Sequence, residues 1–505
     1  MEKPNILLIT TDTQRWDTLR CMGNPQAISP NLDQLAQEGI LFNQAHTSSP
    51  ACMPARCSLM SGLHTPVHGC IENGINRRDG IWMLPDTLKT QGYTNIRVGK
   101  THFGPVPDSF DVQYIIEGEK RSKSTDDCYA KHIHRHGYER SSTHPNPIPE
   151  DLFMDAYLAN TTIECIRKAT ETGNRPFFAF CSLPSPHVPI DPPGRWATIY
   201  DNVPLPEIIY REGEINEHPL HLRRLVGTLE PHSLKDENMN KNHGLEARFK
   251  EAAGKTFNPQ ECEDIDRYRR LYYGLAAYCD AQVGRLVEYL NQTGLRDNTL
   301  VIFTSDHGQQ YFDHGFNDKH NYYDSTWRIP LILSMPGTLP KGETRDFAIW
   351  NDLTATILAA AGTGCAHVQG IDLFTPLQAG QASPRKCAVG TLYKSAALAT
   401  ERWKIEYYFE EGNGRLFDRL NDPQESKNLY YEQACRALRD ELVQALLTWR
   451  SDITDLNFLI NHTKGGGRVA RRIASHTNAM RGSDAEERLN QKVLDITARF
   501  DTLTG

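Results

Sequence analysis

Two short apolar runs, each closing on an aspartate, constrain this chain more than any other feature. Asn5 to Thr11 reads NILLITT and leads into Asp12; Thr299 to Thr304 reads TLVIFT and leads through Ser305 into Asp306. Apolar runs this short, with no polar residue alternating through them, are what strands buried on both faces look like. Such strands belong to a sheet with helices on either side, whose ligands sit beyond the carboxyl ends of the strands. Both acids fall at that edge.

The intervening sequence supplies the alternation such a sheet needs. Ser29-Pro30 opens a helix with a capping hydroxyl followed by proline, Leu32, Leu35 and Ala36 form its apolar stripe, and Gly39 stops it. Further helices are expected at Asp86 to Gln91, Asn160 to Thr172 and Asp264 to Gln292. Further strands are expected at Ile40 to Phe42, Asn95 to Gly99 and Pro176 to Leu183. After about residue 375 the texture changes. Ala396 to Phe409 and Leu416-Phe417 read as a small antiparallel sheet, followed by a helix near Glu432 to Trp449. The expected fold class is α/β: a central mixed, mostly parallel sheet with helices on both faces, plus a smaller C-terminal antiparallel subdomain. The expected divisions are a catalytic domain over 1–375, the subdomain over 376–450, and an extension over 451–505. That extension carries the loop Gly465-Gly466-Gly467 and an amphipathic helix near its end, and is read as packing on the body or on a second subunit of a homo-oligomer. Two polar stretches, about 105–150 and 200–262, are too long for plain connections and are candidates for lining a substrate pocket.

Composition removes several function classes. The net charge is −8 and lacks basic blocks, which argues against a nucleic-acid partner. No apolar run reaches spanning length and no leader pattern precedes Ile6, so no membrane partner is expected. The 12 cysteines contain no C-x-x-C pair, which disfavours zinc ribbons and dithiol chemistry. They read as buried thiols of a reducing compartment, the cytoplasm, with the periplasm as the alternative if a signal peptide has been removed.

The strongest local signal is Cys52-Met53-Pro54-Ala55-Arg56. With 12 cysteines, 29 prolines and 55 basic residues in 505, C-x-P-x-(K/R) has roughly 0.08 chance occurrences. Pro54 fits a first helical turn, which puts Cys52 at or near a helix N-terminus, where free N–H groups favour an anion. Arg56 lies one turn on, so its guanidinium can reach the group at position 52.

With these residues the chain resembles a type I, formylglycine-dependent sulfatase of the alkaline phosphatase superfamily, from Asn5 to about residue 450. Asp12 resembles the first metal segment, Gly99-Lys100-Thr101-His102-Phe103-Gly104 the GK-x-H-x-G element, and Pro186-His187 a further histidine segment. Ser305-Asp306-His307-Gly308 resembles the second metal segment. Lys319, with Tyr323-Asp324 and Arg328-Ile329-Pro330 behind it, resembles the sulfate-contacting lysine and its turn. The resemblance implies an alkaline phosphatase-like fold and conversion of Cys52 to formylglycine by a formylglycine-generating enzyme. It also implies one divalent metal, calcium, held by Asp12, Asp306, His307 and the converted Cys52. The family usually has two adjacent acids in the first segment; here Thr13 and Gln14 follow Asp12. That departure, together with His307, leaves manganese as the alternative.

The implied roles are a nucleophile at Cys52, cationic support from Arg56, Lys100 and Lys319, proton donation to the leaving oxygen by His187, and proton removal by His102. Asn73 and Arg78 are candidate substrate contacts, and Asn73 could equally form an Asn-Gly turn. His132, His134 and His136 read as an exposed loop, Arg471-Arg472 as solvated charge, and Trp82 as core. The expected activity is sulfate-ester hydrolysis on a small sulfated saccharide, because the polar stretches supply hydrogen-bonding groups and no aromatic slot. A phosphonate monoester or phosphodiester hydrolase of the same superfamily is the nearest rival, and Lys100 and His102 favour the sulfatase. A non-catalytic sulfoglycan-binding protein is the other reading, if Cys52 remains a thiol.

Overall fold

The computed structural model describes residues 3–116, 127–171, 173, 175–225, 260, 263–364, 368–454 and 483–500. The expectations at 226–259, at the Gly465-Gly466-Gly467 loop and at Arg471-Arg472 therefore lie outside the described residues. Eight strands form the main sheet: β1 (Asn5–Thr11), β2 (Ile40–His46), β3 (Thr94–Gly99), β4 (Val112–Ile115), β5 (Phe177–Ser182), β6 (Thr299–Ser305), β7 (Leu331–Ser334) and β8 (Gly342–Ile349). Their spatial order is β4-β3-β5-β1-β6-β7-β2-β8. All neighbours are parallel except β7, which runs against both β6 and β2. The sheet is mixed and mostly parallel.

Alternation along the strands explains the layering. Leu7 and Ile9 of β1 join Ile96, Val98, Ala179, Cys181, Val301 and Phe303 on one face, under the helices Met154–Glu171 and Glu263–Gln292. Ile6 and Leu8 face the other way with Phe178, Phe180, Leu300 and Ile302, under Cys52–Ser61 and Trp350–Ala360. Both faces are dry, as an uninterrupted apolar run requires. Truncating one such side chain, Leu8→Ala, would cost about 2–5 kcal/mol.

Register brings the chemistry together. Thr11 pairs with Ser305, so Asp12 and Asp306 leave adjacent strands side by side. Gly99 pairs with Ser182, and Thr10 with Ser182 on the other side. The contiguous strands β3, β5, β1 and β6 thus release Lys100, the Pro186-His187 segment, Asp12 and Asp306 along one edge.

A second sheet of four antiparallel strands runs in the order β12 (Asn413–Asp418), β11 (Trp403–Tyr408), β10 (Ser395–Ala399), β9 (Ala388–Leu392). Its core includes Ala51, Tyr322, Trp327, Phe347 and Ile349 of the larger body, together with the helices Arg436–Asp452 and Asp484–Phe500. The last helix is tied inward by Glu486. Its carboxylate meets His64 Nε2 at 2.8 Å, Trp449 Nε1 at 2.7 Å and Arg385 Nη1 at 2.6 Å, while Arg385 also pairs with Asp352 at 2.6 Å. All five side chains are buried.

Several local expectations change. The helix read from Asn160 begins at Met154, and β4, β7, β8 and Trp350–Ala360 lack a sequence reading above. The helix expected from Glu432 starts at Arg436 after a short 3-10 turn. His132 and His134 sit in a helix, Cys128–Arg135, capped by the Asp127 carboxylate, where a loop was expected. Trp82, expected in the core, is 38% exposed. Among the described residues no helix is long and apolar enough to cross a membrane.

Candidate active site and metal centre

The helix Cys52–Ser61 begins at Cys52, with Ala51 as its extended N-cap. Alanine offers no capping oxygen, and Asn73 provides one from a distance: its Oδ1 accepts the Met53 N–H at 3.0 Å. Asn73, a candidate for either a substrate contact or an Asn-Gly turn, lies in a turn at 73–74 and supports the first turn of the helix that presents Cys52. Its loop is held by the Glu72 carboxylate, which accepts the Asn73 N–H at 2.8 Å and faces His320 Nε2 at 3.5 Å.

Around Cys52 the sequence candidates converge. Lys319 Nζ donates to its Sγ at 3.1 Å, and His307 Nε2 lies at 3.1 Å. Burial raises the thiol pKa, but Lys319, His307 and Lys100 outweigh it and hold the thiol well below its usual value; the His102 side chain adds to this by a hydrogen bond. His102 has a left-handed backbone, φ 50°, and its Nδ1 is buried without a partner. Lys100 Nζ pairs with Asp12 Oδ2 at 2.7 Å, and His187 Nε2 lies 4.0 Å from Asp12 Oδ1.

Arg56 does something its spacing did not foretell. Its three nitrogens go to Asp306 Oδ2 at 2.8 Å, Asp12 Oδ2 at 2.9 Å and Ser182 Oγ at 2.8 Å, rather than to Cys52. A planar fork suits this job, because one rigid cation spaces two carboxylates. Ser182 is in turn held by Thr10 Oγ1 at 3.2 Å. Sequence reasoning missed Ser182, although it ends its strand at the same edge as Asp12 does. Burial raises the Asp12 pKa, and Lys100, His187 and Arg56 more than reverse that, so the carboxyl is held far below its usual range.

Arg78 lies apart from this cluster: it is exposed and donates to the Val67 carbonyl at 3.1 Å. Its neighbour Arg77 is the one that reaches toward the His102 loop, donating to the Phe103 carbonyl at 3.0 Å and to that of Pro105.

One ligand atom each from Asp12, Cys52, Asp306 and His307 lies within 4.8 Å of all the others, and all four residues are buried. His307 Nδ1 faces the Gly308 carbonyl at 2.7 Å, which assigns the proton to Nδ1 and leaves the Nε2 lone pair for the cluster. Two carboxylates, an imidazole nitrogen and the group at position 52 fit a divalent cation. Thr13 stands where a further acid would be, with its N–H given to Asp306 Oδ1 at 3.0 Å and its hydroxyl buried and unpartnered. Burial lowers the His307 pKa, but Asp306 and Cys52 beside it raise it overall, so an incoming ion competes with a proton.

Comparison with known proteins places this geometry. The family profile described as sulfatase matches residues 4–363, and one described as N-sulphoglucosamine sulphohydrolase, C-terminal, matches 312–452. The chain belongs to the sulfatase family, the sulfuric ester hydrolases. An arylsulfatase of Clostridium perfringens is 26% identical over 503 residues, covering 91% of this chain and 97% of that protein. An N-acetylglucosamine-6-O-sulfatase of Bacteroides thetaiotaomicron is 24% identical, covering 88% and 86%. The fold is also that of a phosphonate monoester hydrolase of Agrobacterium radiobacter, with TM-score 0.75 at 23% identity over 89% of this chain and 96% of that one.

Proposed function

We propose that the chain cleaves the sulfate ester of a small sulfated saccharide, with Cys52 in its formylglycine form and one divalent ion in the cluster. The observation that carries this reading is the placement of Cys52 Sγ, which marks the nucleophile position, against Lys319 and His307 with Lys100 and both aspartates around it. A bound ion there supplies positive charge against the sulfuryl oxygens, and formylglycine supplies a hydroxyl nucleophile.

The chain's own residues account for the rest. Arg56 orients Asp12 and Asp306 so that their free lone pairs converge. Lys100 and Lys319 bind and neutralise the sulfuryl group. The Val188 carbonyl accepts from His187 Nδ1 at 2.8 Å, so the imidazolium form of His187 holds its second proton on Nε2 and passes that proton to the departing oxygen. His102, beside the nucleophile, takes the proton that must leave for the cycle to close.

Calcium is the ion that hard carboxylate oxygens favour; His307 Nε2 shifts the preference toward manganese. The saccharide assignment is supported by the name of the Bacteroides thetaiotaomicron relative, an N-acetylglucosamine-6-O-sulfatase, and by the hydrogen-bonding residues of the 105–150 stretch. Free, mostly buried thiols support a reducing compartment, the cytoplasm, and maturation there by a formylglycine-generating enzyme. The test is a panel of sulfated mono- and disaccharides, an aryl sulfate and an aryl phosphonate, ranked by kcat/KM. A saccharide sulfate ranks first on this reading. An aryl sulfate ranking first refutes the saccharide, and the phosphonate ranking first refutes the sulfate preference.

A further inference from the structure

The small sheet contributes a buried cation that the chemistry above leaves unused. Lys404, on β11, is fully buried. Its ammonium donates to the Tyr322 carbonyl at 2.5 Å, pairs with the Glu425 carboxylate, and lies 3.5 Å from Asp324 Oδ1. A buried ammonium is tolerated only with such partners. Here the partners lie chiefly on one segment, 322–324, of the larger body. Asp324 is gripped a second time by Arg419 at 3.2 Å, and its own N–H goes to Glu425 Oε2 at 3.2 Å. Glu425 holds a left-handed backbone, φ 58°, a conformation that persists in a non-glycine residue only where its surroundings enforce it.

That segment carries Lys319. Three residues before Tyr322, Lys319 Nζ touches Cys52 Sγ. Between them, His320 is left-handed at φ 72° and donates its N–H to the Pro50 carbonyl at 3.1 Å. The chain is therefore pinned at 320 by the approach to Cys52 and at 322 by Lys404. Beyond Asp324, the Ser325 and Thr326 carbonyls accept from Gln309 at 3.0 Å and Gly308 at 2.8 Å, next to His307.

We propose that Lys404 is a positioning residue for the hydrolysis: it clamps the Tyr322 carbonyl and Asp324 so that Lys319 stays against the nucleophile. The small sheet is then part of the catalytic apparatus through one side chain. The inference rests on the sulfatase reading of the site.

A double-mutant cycle on the full-length enzyme tests it, using the sulfate ester the wild type turns over best. Lys404→Met alone strands the Glu425 carboxylate, so the paired variant Lys404→Met with Glu425→Gln is made as well; in both, Asp324 keeps Arg419. Each should lower kcat/KM about 10²-fold, the cost of misplacing a catalytic group by about 1 Å. Made in a Lys319→Ala background, the same changes should lower kcat/KM by less than about threefold, because the residue they position is gone. A further loss of threefold or more in that background overturns the proposal, as does a loss under threefold in the wild type. If neither variant retains a cooperative melt, Lys404 is structural and the proposal falls. A wild type that turns over no sulfate ester defeats the parent reading instead, and is distinguished by that control.

Discussion

Replacing Arg56 by lysine keeps the charge and removes the fork, so it isolates what the guanidinium geometry contributes. Arg56 is 1% exposed and makes three hydrogen bonds, to Asp306, Asp12 and Ser182. A single ammonium can keep one carboxylate. The variant then loses two bonds donated by a cation, one to a carboxylate and one to the Ser182 hydroxyl, each worth about 1.5–3 kcal/mol, giving about 3–6 kcal/mol in total. An unfolding entropy of about 2.1 cal/mol/K per residue gives about 1.1 kcal/mol/K for a chain of 505 residues. The melting temperature should therefore fall by about 3–6 °C. The loss should be larger after chelation than with the ion present, because the ion shares the neutralisation of both carboxylates. Activity should fall about 10²-fold in kcat/KM, since the metal-side oxygens are no longer held in register. The assay is calorimetry with and without chelator, beside steady-state kinetics. A melting temperature within 1 °C of wild type together with kcat/KM within about threefold would refute the idea that one fork sets both aspartates.

Cys52→Ala should abolish turnover while the protein still melts cooperatively, because Asn73 rather than Cys52 caps that helix; measurable turnover would remove Cys52 from the chemistry. Chelation should abolish activity and calcium or manganese restore it. Because the His307 pKa is raised, ion affinity measured by calorimetry should weaken as pH falls from 8 to 6 and the proton competes; an affinity unchanged over that range would contradict this. Acid should unfold the protein early. Burial lowers His46 and His68 to about 3 and His218 to about 2. With folded values below the unfolded 6.5, their contribution is full above that pH and drains as pH falls toward the folded values. At pH 5 each has lost roughly 2 kcal/mol; an unchanged denaturant midpoint between pH 7 and pH 5 would contradict this.

The sheet was legible because its strands are buried on both faces and cannot afford polar residues, so β1, β5 and β6 stand out as apolar runs. Strand β8 did not, because its first half, Gly342 to Asp346, lies at the edge of the sheet and is largely exposed. Strand β7 has only four residues, Leu331–Ser334, too few for a period. In the site, the residues quoted by motif lie close together, but spacing told only which side chains could meet. Arg56 lies one turn from Cys52 yet gives its hydrogen bonds to Asp306, Asp12 and Ser182, because a planar fork matches oxygen acceptors better than a single sulfur. Arg77 and Arg78 are indistinguishable in sequence, and only the path of the loop decides which one meets Phe103. Asn73 and Lys404 act across long sequence separations that local pattern does not record.

The Glu486 latch has a consequence in time. His64 and Glu486 are separated by 422 residues, and chains are synthesised at about 5–20 residues per second. The pocket that receives His64 stays without its carboxylate for roughly 20–80 s after His64 itself is made. Strand β1 waits similarly for β6, 294 residues later by the Asn5–Thr299 pairing. Until both arrive, the buried cluster of His64, Arg385 and Glu486 is incomplete, and so is the β1–β6 pairing that sets Asp12 beside Asp306.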